Sequence, residues 1–380
     1  MPNFFAPCPR GLERLLADEL TELGATEVST TDGGVGFAGD WPLCYRANLE
    51  SRVASRILWR VQAPKPYRNE HDIYAATVAL PWPRWFDVEC TIRVNVTAIK
   101  SPLKSLEFTT LKIKDAVCDK FRERGGQRPS VDTLEPDMRI NAFIEGDLFT
   151  LYLDTSGEAL FKRGVRLNTN IAPLRENLAA GILKLSGWRP GTPLVDPMCG
   201  SGTFLIEAAQ MALGIAPGIG RSFAFEKLKN FDAAKWNEMR EQSIAAQRPV
   251  EQLEIYGSDL YGDALKAARQ NLELAGLTQA VHLKQANALE VAPPAASGIL
   301  IANLPYGERM GELEELAEMY PKLGDALKQK FGGWTAWLFT ADRRILKLMR
   351  LSPSKRTPLF NGAIECRLLE YRIVAGSNRK

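Results

Sequence analysis

The stretch Leu194-Val195-Asp196-Pro197-Met198-Cys199-Gly200-Ser201-Gly202-Thr203-Phe204 decides how this chain is read. A short apolar run ends on an acidic residue, two glycines follow, and a helix-forming segment takes over. Glycines at that place allow a tight turn and let a ligand approach the backbone at a helix start. No lysine follows the second glycine, so this is not a Walker A phosphate cradle. Leu205 stands where a dinucleotide fingerprint would place its third glycine. A plain strand-to-helix turn is the bland alternative, and the segments downstream weigh against it.

Ile255-Tyr256-Gly257-Ser258-Asp259 closes a strand on a carboxylate, with a helix to follow. In a doubly wound sheet, a carboxylate there accepts hydrogen bonds from both ribose hydroxyls. An aspartate in such a place also commonly caps a helix, a role that suits Asp263. Gln285-Ala286-Asn287-Ala288 ends the next strand, where Asn287 and Ala288 could meet an adenine amine, an ordinary loop asparagine being equally open. Ala302-Asn303-Leu304-Pro305-Tyr306-Gly307 ends a further strand. This asparagine-x-proline-aromatic pattern suits methyl transfer to an exocyclic amine, whose lone pair is delocalised into the base and must be oriented. The Asn303 side-chain oxygen and the Leu304 or Pro305 carbonyl accept the two N–H bonds, and Tyr306 stacks on the flipped base. Together the four segments describe the nucleotide loop, ribose acid, adenine contact and target-amine motif of an S-adenosylmethionine enzyme. Cys199 has no base near it in sequence, so it reads as a small residue lining the loop and not as a nucleophile.

Composition narrows the chemistry. The 380 residues contain only two histidines, His71 and His282, which excludes a His-rich metal site and a relay of histidines; no metal is expected. An already activated methyl donor needs no strong base, in keeping with that scarcity. Six cysteines without a C-x-x-C pair argue against zinc ribbons and disulfide frameworks and fit a reducing cytoplasm. No apolar run approaches the roughly 20 residues of a membrane span, and the N-terminus lacks signal-peptide order. The net charge of +3 conceals segregation: residues 91–130 carry 9 Lys/Arg against 4 Asp/Glu, and residues 341–380 carry 10 against 3. Within the first of these segments Lys112, Lys114, Lys120, Arg124 and Arg128 are candidates to track RNA phosphates, the bland reading being a solvated helix face.

Periodicity predicts short, mixed elements first: a strand at 3–6, helices at 11–23 and 41–47, a strand at 33–37, a Pro-rich turn at Pro64-Lys65-Pro66, a strand at 90–98, a basic helix at 110–124 and strands at 138–145 and 148–154. These suggest α+β modules without a parallel sheet. Residues 157–172 read as a linker. From 173 onward, strands at 193–195, 253–258, 281–285, 298–302, 334–340 and 366–373 alternate with helices, which predicts a doubly wound α/β sheet, with 214–250 as an insertion. Glu207 and Glu176 are expected on helix surfaces or as caps.

The chain resembles the THUMP-containing RNA guanine-N2 methyltransferases, in the branch acting on bacterial 23S ribosomal RNA. The resemblance rests on Phe161-Lys162-Arg163-Gly164-Val165-Arg166, Ile171-Ala172-Pro173-Leu174-Arg175-Glu176-Asn177, the glycine loop, Asn303-Leu304-Pro305-Tyr306-Gly307-Glu308-Arg309 and Leu359-Phe360-Asn361-Gly362-Ala363-Ile364-Glu365-Cys366, and it spans nearly the whole length. Leu304 stands where the family usually has proline, Asn287 where aspartate is common, and Val165 where an aromatic is usual. The resemblance implies a ferredoxin-like subdomain at 1–62, a THUMP RNA-binding module at 63–156 and a Rossmann-like methyltransferase domain at 173–380. It implies cofactor contacts from Asp196, Pro197, Met198, Cys199, Gly200, Ser201, Gly202, Thr203 and Asp259, and a target-amine site at Asn303, Pro305 and Tyr306. The expected function is S-adenosylmethionine-dependent methylation of guanine N2 in large-subunit rRNA, in the cytoplasm. Methylation of tRNA guanine or adenine N6, and a non-catalytic RNA-binding assembly factor, are the rivals.

Overall fold

A computed structural model of the chain describes residues 1–163, 174–305 and 310–374. The chain divides into two units, each with its own seven-stranded sheet. The first comprises Met1–Cys8, Leu16–Leu160 and Gly220–Gln242. Its strands are β1 (Asn3–Pro7), β2 (Thr26–Thr31), β3 (Gly34–Ala38), β4 (Leu58–Pro66), β5 (Ile92–Ile99), β6 (Met138–Glu145) and β7 (Leu148–Asp154), in the order β2-β3-β1-β4-β7-β6-β5. The helices are α1 (Glu13–Glu22), whose first residues are counted with the second unit, α2 (Trp41–Glu50), α3 (Glu70–Val78) and α4 (Leu106–Gly125). Asp40, Asn69 and Ser105 cap α2, α3 and α4 by accepting first-turn N–H bonds.

Three expectations change here. Pro64-Lys65-Pro66 is not a turn but the exposed end of β4. Beyond Trp59, β4 pairs only with β7; the second of two register shifts passes over Pro64, and Pro66 closes the strand opposite Leu148. β2 escaped the periodicity reading because its TEVSTT sequence lies mostly exposed and alternates nothing apolar. β5 and β6 pair in parallel, joined by the long crossover through α4, so the module does contain a parallel pair. Residues 220–242, read as an insertion, belong to this first unit. Phe225 stacks on Tyr45 at 4.6 Å, and Trp236 meets Phe225 edge-on at 5.1 Å.

The second unit comprises Pro9–Leu15, Phe161–Ile219 and Ser243–Lys380. Its strands are β8 (Leu194–Asp196), β9 (Ile255–Asp259), β10 (His282–Gln285), β11 (Ile299–Asn303), β12 (Thr335–Thr340), β13 (Lys355–Asn361) and β14 (Ile364–Arg372), in the order β10-β9-β8-β11-β12-β14-β13. Pairing is parallel from β10 to β12, and the β13–β14 hairpin adds antiparallel strands. The helices are α5 (Glu176–Leu185), α6 (Thr203–Ala212), α7 (Ala233–Ala245), whose first part lies with the first unit, α8 (Gly262–Leu274), α9 (Met310–Lys330) and α10 (Ile345–Leu348). α6 lies so close on the sheet that a Cβ at Gly257 would collide with Leu205. Leu316, Tyr320, Leu323 and Leu327 of α9 pack with Val195, Leu300, Ala302 and Leu304 on the opposite face. The helices therefore cover both faces, as a doubly wound sheet requires.

Glu207 corrects its surface reading. It is fully buried in α6, and its Oε1 takes the Nε–H of Arg163 at 3.1 Å, with both side chains almost inaccessible. An unmatched charge in such a place is strongly disfavoured, so each partner holds the other. Glu207→Ala is therefore expected to cost about 3–5 kcal/mol of unfolding free energy, measured by urea denaturation. A loss within experimental error of zero would contradict this account of the pair.

Candidate active site

The acidic and amide residues assigned to the cofactor and the target amine lie at or just beyond the carboxyl ends of parallel strands. Asp196 ends β8, Asp259 ends β9, Asn287 and Ala288 follow β10, and Asn303 ends β11. The strand order reverses at β8, with β9 and β10 on one side and β11 and β12 on the other. The crevice outside such a switch point is where open α/β sheets receive ligands.

The glycine loop is held from below by its own amides. Met198 N–H donates to Asp196 Oδ1 at 3.1 Å, Cys199 N–H to the Ser258 carbonyl at 2.9 Å and Gly200 N–H to Asp259 Oδ2 at 2.9 Å. Gly200 and Gly202 adopt φ of 54° and 83°, which side chains rarely tolerate, and Gly202 caps α6 ahead of Thr203. From α8, Asn271 Nδ2 donates to the Ser201 carbonyl at 3.0 Å. Nothing local in the sequence marks Asn271, a buried asparagine of α8 whose partner is a distant loop. Pro197, Met198, Cys199 and Ser201 complete the turn.

This pattern defines what the crevice accepts. A phosphate cradle turns free N–H groups outward, whereas here these amides are spent on the protein's own acceptors and two carboxylates stand at the strand ends. Asp259 Oδ1 also accepts the Tyr261 N–H at 3.0 Å, yet each carboxylate oxygen has a further lone pair. Such a site favours a ligand rich in hydroxyl and ammonium donors, and a bound cation would draw the Asp196 carboxyl back toward its charged form. Burial, with the neighbouring Asp259 adding, pushes Asp196 up to about 8. Burial first, then Asp196 and Asp259, raise the Cys199 thiol far above its ordinary value, so it stays protonated and is no nucleophile. A cleft of about 730 Å³ opens along β9 and β10, lined by Tyr256, Ser258, Gln285, Ala286, Glu290 and Val291. Among the described residues the buried Ser258 hydroxyl in it has no hydrogen-bond partner. The ribose hydroxyls and ammonium of an S-adenosylmethionine molecule fit the acceptors that Asp196 and Asp259 offer at the strand ends.

The target-amine motif is anchored from behind. Leu304 is completely buried in the core shared with α9, and its N–H donates to the Phe339 carbonyl at 2.9 Å. A leucine therefore serves where the resembling family has proline, while Asn303 stays half-buried and Pro305 exposed at the crevice. Tyr306 lies outside the described residues. Asn287 Oδ1 takes the Leu289 N–H at 3.0 Å, so the turn after β10 already uses the oxygen. His282 begins β10, away from the strand carboxyl ends, and stacks on Tyr256 at 4.5 Å. Among the described residues no His/Cys/Asp/Glu group is arranged to hold a metal, and no helix is long and apolar enough to cross a membrane.

The RNA-binding candidates fall in the first unit. Lys112, Lys114, Lys120 and Arg124 lie on α4, and Arg128 in the loop after it. Lys114 pairs with Asp115 at 2.8 Å and Lys120 with Glu123 at 2.9 Å, while Lys112 sits 5.3 Å from the Phe108 ring centre. Two of the candidate lysines are thus held by carboxylates of their own helix.

Comparison with known proteins matches three family models. Residues 163–370 match the RMKL-like methyltransferase domain, residues 67–154 the THUMP domain and residues 3–58 the RlmL ferredoxin-like domain. The protein slr0064 of Synechocystis sp., which carries an RNA methyltransferase name, is 40% identical over 97% of this chain and 96% of its own. The ribosomal RNA large subunit methyltransferase K/L of Shewanella baltica (strain OS195) is 42% identical over the whole chain, which spans 54% of that relative. The crystal structure of SMU.472 complexed with SAH superposes with a TM-score of 0.89 at 31% identity over 98% of each chain. TrmN from Thermus thermophilus shares the fold, with a TM-score of 0.71 at 21% identity. A buried loop anchored on strand-end carboxylates, in a chain matched from residue 3 to residue 370, thus has a family: the protein belongs to the RMKL-like methyltransferases, with RlmL-type ferredoxin-like and THUMP domains preceding the catalytic fold.

Proposed function

We propose that this chain is an S-adenosylmethionine-dependent RNA methyltransferase that acts on the exocyclic N2 of a guanine, in large-subunit ribosomal RNA. The observation that carries this reading is the convergence of Asp196, the Gly200–Gly202 turn, Asp259 and Asn303 on one edge of a methyltransferase sheet. The names of the K/L relatives and the SAH bound to SMU.472 support the substrate class and the cofactor. The matched models support a division near 1–62, 63–156 and 173–380. Lys112, Lys114, Lys120, Arg124 and Arg128 are proposed to meet RNA phosphates around α4.

S-adenosylmethionine, when bound, supplies a methyl group already activated by its sulfonium. The protein's task is positioning. Asp259 and Asp196 receive hydroxyl and ammonium donors, and the Asn303 side-chain oxygen with the Leu304 or Pro305 carbonyl accepts the two N–H bonds of the target amine. That aims the nitrogen lone pair at the methyl carbon, and Tyr306 stacks on the extruded base. The proton that the methylated amine releases is strongly acidic and passes to solvent water, so no histidine is required.

Incubation with labelled cofactor and separate rRNA and tRNA pools, followed by nucleoside analysis, tests the reading. N2-methylguanosine in rRNA is expected, whereas label confined to tRNA or to adenine N6 would replace it. Asn303→Ala should lower kcat about a hundredfold or more, the scale set by losing one oriented polar group. Cofactor affinity, read by calorimetry with SAH, should stay unchanged. Wild-type turnover by this variant would remove Asn303 from the mechanism. A carboxyl raised in the folded state binds its proton more tightly there than in the unfolded chain, so it lends stability at low pH that fades as pH rises. For Asp196 the window runs from its ordinary value near 4 to about 8. Cofactor-free wild type should lose stability across it relative to Asp196→Asn, and parallel pH profiles of the two proteins would refute the assignment.

A further inference from the structure

The β13–β14 hairpin overhangs the ligand edge of the methyltransferase sheet. β12 stops at Thr340, opposite Arg367, one residue past the row that holds Asn303, Phe339 and Leu368. The hairpin runs on for three more pairs, Leu359 with Cys366, Phe360 with Glu365 and Asn361 with Ile364, before Gly362 and Ala363 close it. At about 3.4 Å per residue, the overhang reaches roughly 10 Å beyond the carboxyl end of β12.

Two arginines from other segments of the same unit rest against this projection. Arg10 lies 5.7 Å from the centre of the Phe360 ring, and its neighbour Gly11 is so close to β13 that a Cβ would meet the Pro358 carbonyl. Arg175, which precedes α5, lies 4.9 Å from the centre of the Phe161 ring, and a Cβ at Gly362 would stand 3.1 Å from its terminal nitrogen. The next residue, Glu176, lines a small cavity with Ser201 and Thr203, so the start of α5 spans from the glycine loop to the hairpin tip. Both arginines are exposed, and neither has an ion-pair or hydrogen-bond partner among the described residues. The arginines of the basic tail behave otherwise: Arg343 and Arg367 share Glu365, Arg344 pairs with Asp342 and Arg372 with Glu370. The carboxylates around the tip are engaged as well, Glu365 by its two arginines and Glu13 by the Gly11 N–H. A guanidinium laid on a ring keeps its N–H fork in the plane, open to an oxyanion.

We propose that Arg10 and Arg175 form a phosphate clamp within the methyltransferase unit, holding the sugar–phosphate backbone of the substrate beside the target nucleotide. Extruding a nucleotide costs unstacking energy, and contacts to the phosphates on either side offset it where it arises. Such contacts fix register and carry no sequence information. The inference rests on the reading that the protein methylates RNA, and it gives a task to the Leu359–Cys366 motif that the cofactor and the target amine leave unused.

Steady-state methylation of protein-free ribosomal RNA by the full chain, with labelled cofactor, tests the clamp. Arg10→Gln and Arg175→Gln should each raise KM for RNA about tenfold and lessen its dependence on log salt by about one. Because the lost contact holds ground state and transition state alike, kcat should stay unchanged, as should melting temperature and SAH affinity by calorimetry. Arg175→Lys keeps the charge and loses the fork, so it should restore the salt dependence and only part of KM. Arg356→Gln, on β13 one row below Asn303, should leave KM unchanged. Wild-type KM and salt dependence in both of the first two variants overturns the clamp. An equal rise for Arg356→Gln also overturns it by revealing a diffuse basic field, and lost SAH affinity in Arg175→Gln does so by giving that guanidinium to the cofactor's carboxylate. If the wild type methylates no RNA, the functional reading fails and the clamp falls with it; if it does and the variants match it, only the clamp fails.

Discussion

The Gly200 amide hydrogen bond to Asp259 is the link on which the catalytic half depends. It joins the turn after β8 to the tip of β9, two segments far apart in sequence, and fixes a loop that glycine alone leaves loose. With the Cys199 amide on the Ser258 carbonyl and Asn271 on the Ser201 carbonyl, it makes one rigid rim from three elements. Because the loop's amides point inward, the rim faces the ligand with acceptors. That inversion of the usual phosphate cradle suits a cationic methyl donor.

Behind the rim, the buried Arg163–Glu207 pair fixes α6 to the segment that enters the methyltransferase unit. Gly257 lets that helix lie close against the sheet, and Leu304 sinks the root of the target-amine motif into the opposite core. Rigid support of this kind suits chemistry in which orientation, not acid or base strength, supplies the rate. The location of both histidines away from the strand ends agrees with that economy.

Charge tells a different story in the two views of the molecule. Counting along the chain singles out residues 91–130 as basic, yet folding places Asp115, Asp119 and Glu123 beside the cations of α4. Arg60, Arg93 and Arg139, from three different strands, come together on one sheet face. Surface potential follows neighbours in space, and strand pairing brings together residues that no linear window contains.

The sequence by itself determined the doubly wound half: strand-ending Asp196, Asp259 and Asn303, separated by amphipathic helices, require a parallel sheet with its ligand edge at the carboxyl ends, because local periodicity and glycine placement are short-range properties. It also marked most elements of the N-terminal half. What it could not contain were relations between distant segments. Glu207 is legible only once Arg163 is placed against it, Asn271 only once α8 is seen to reach the loop, and the proline end of β4 only once its missing partner and its bulges are known. Tertiary structure decided these because burial, pairing and charge balance depend on which surfaces meet, and a residue's type does not say what will lie beside it.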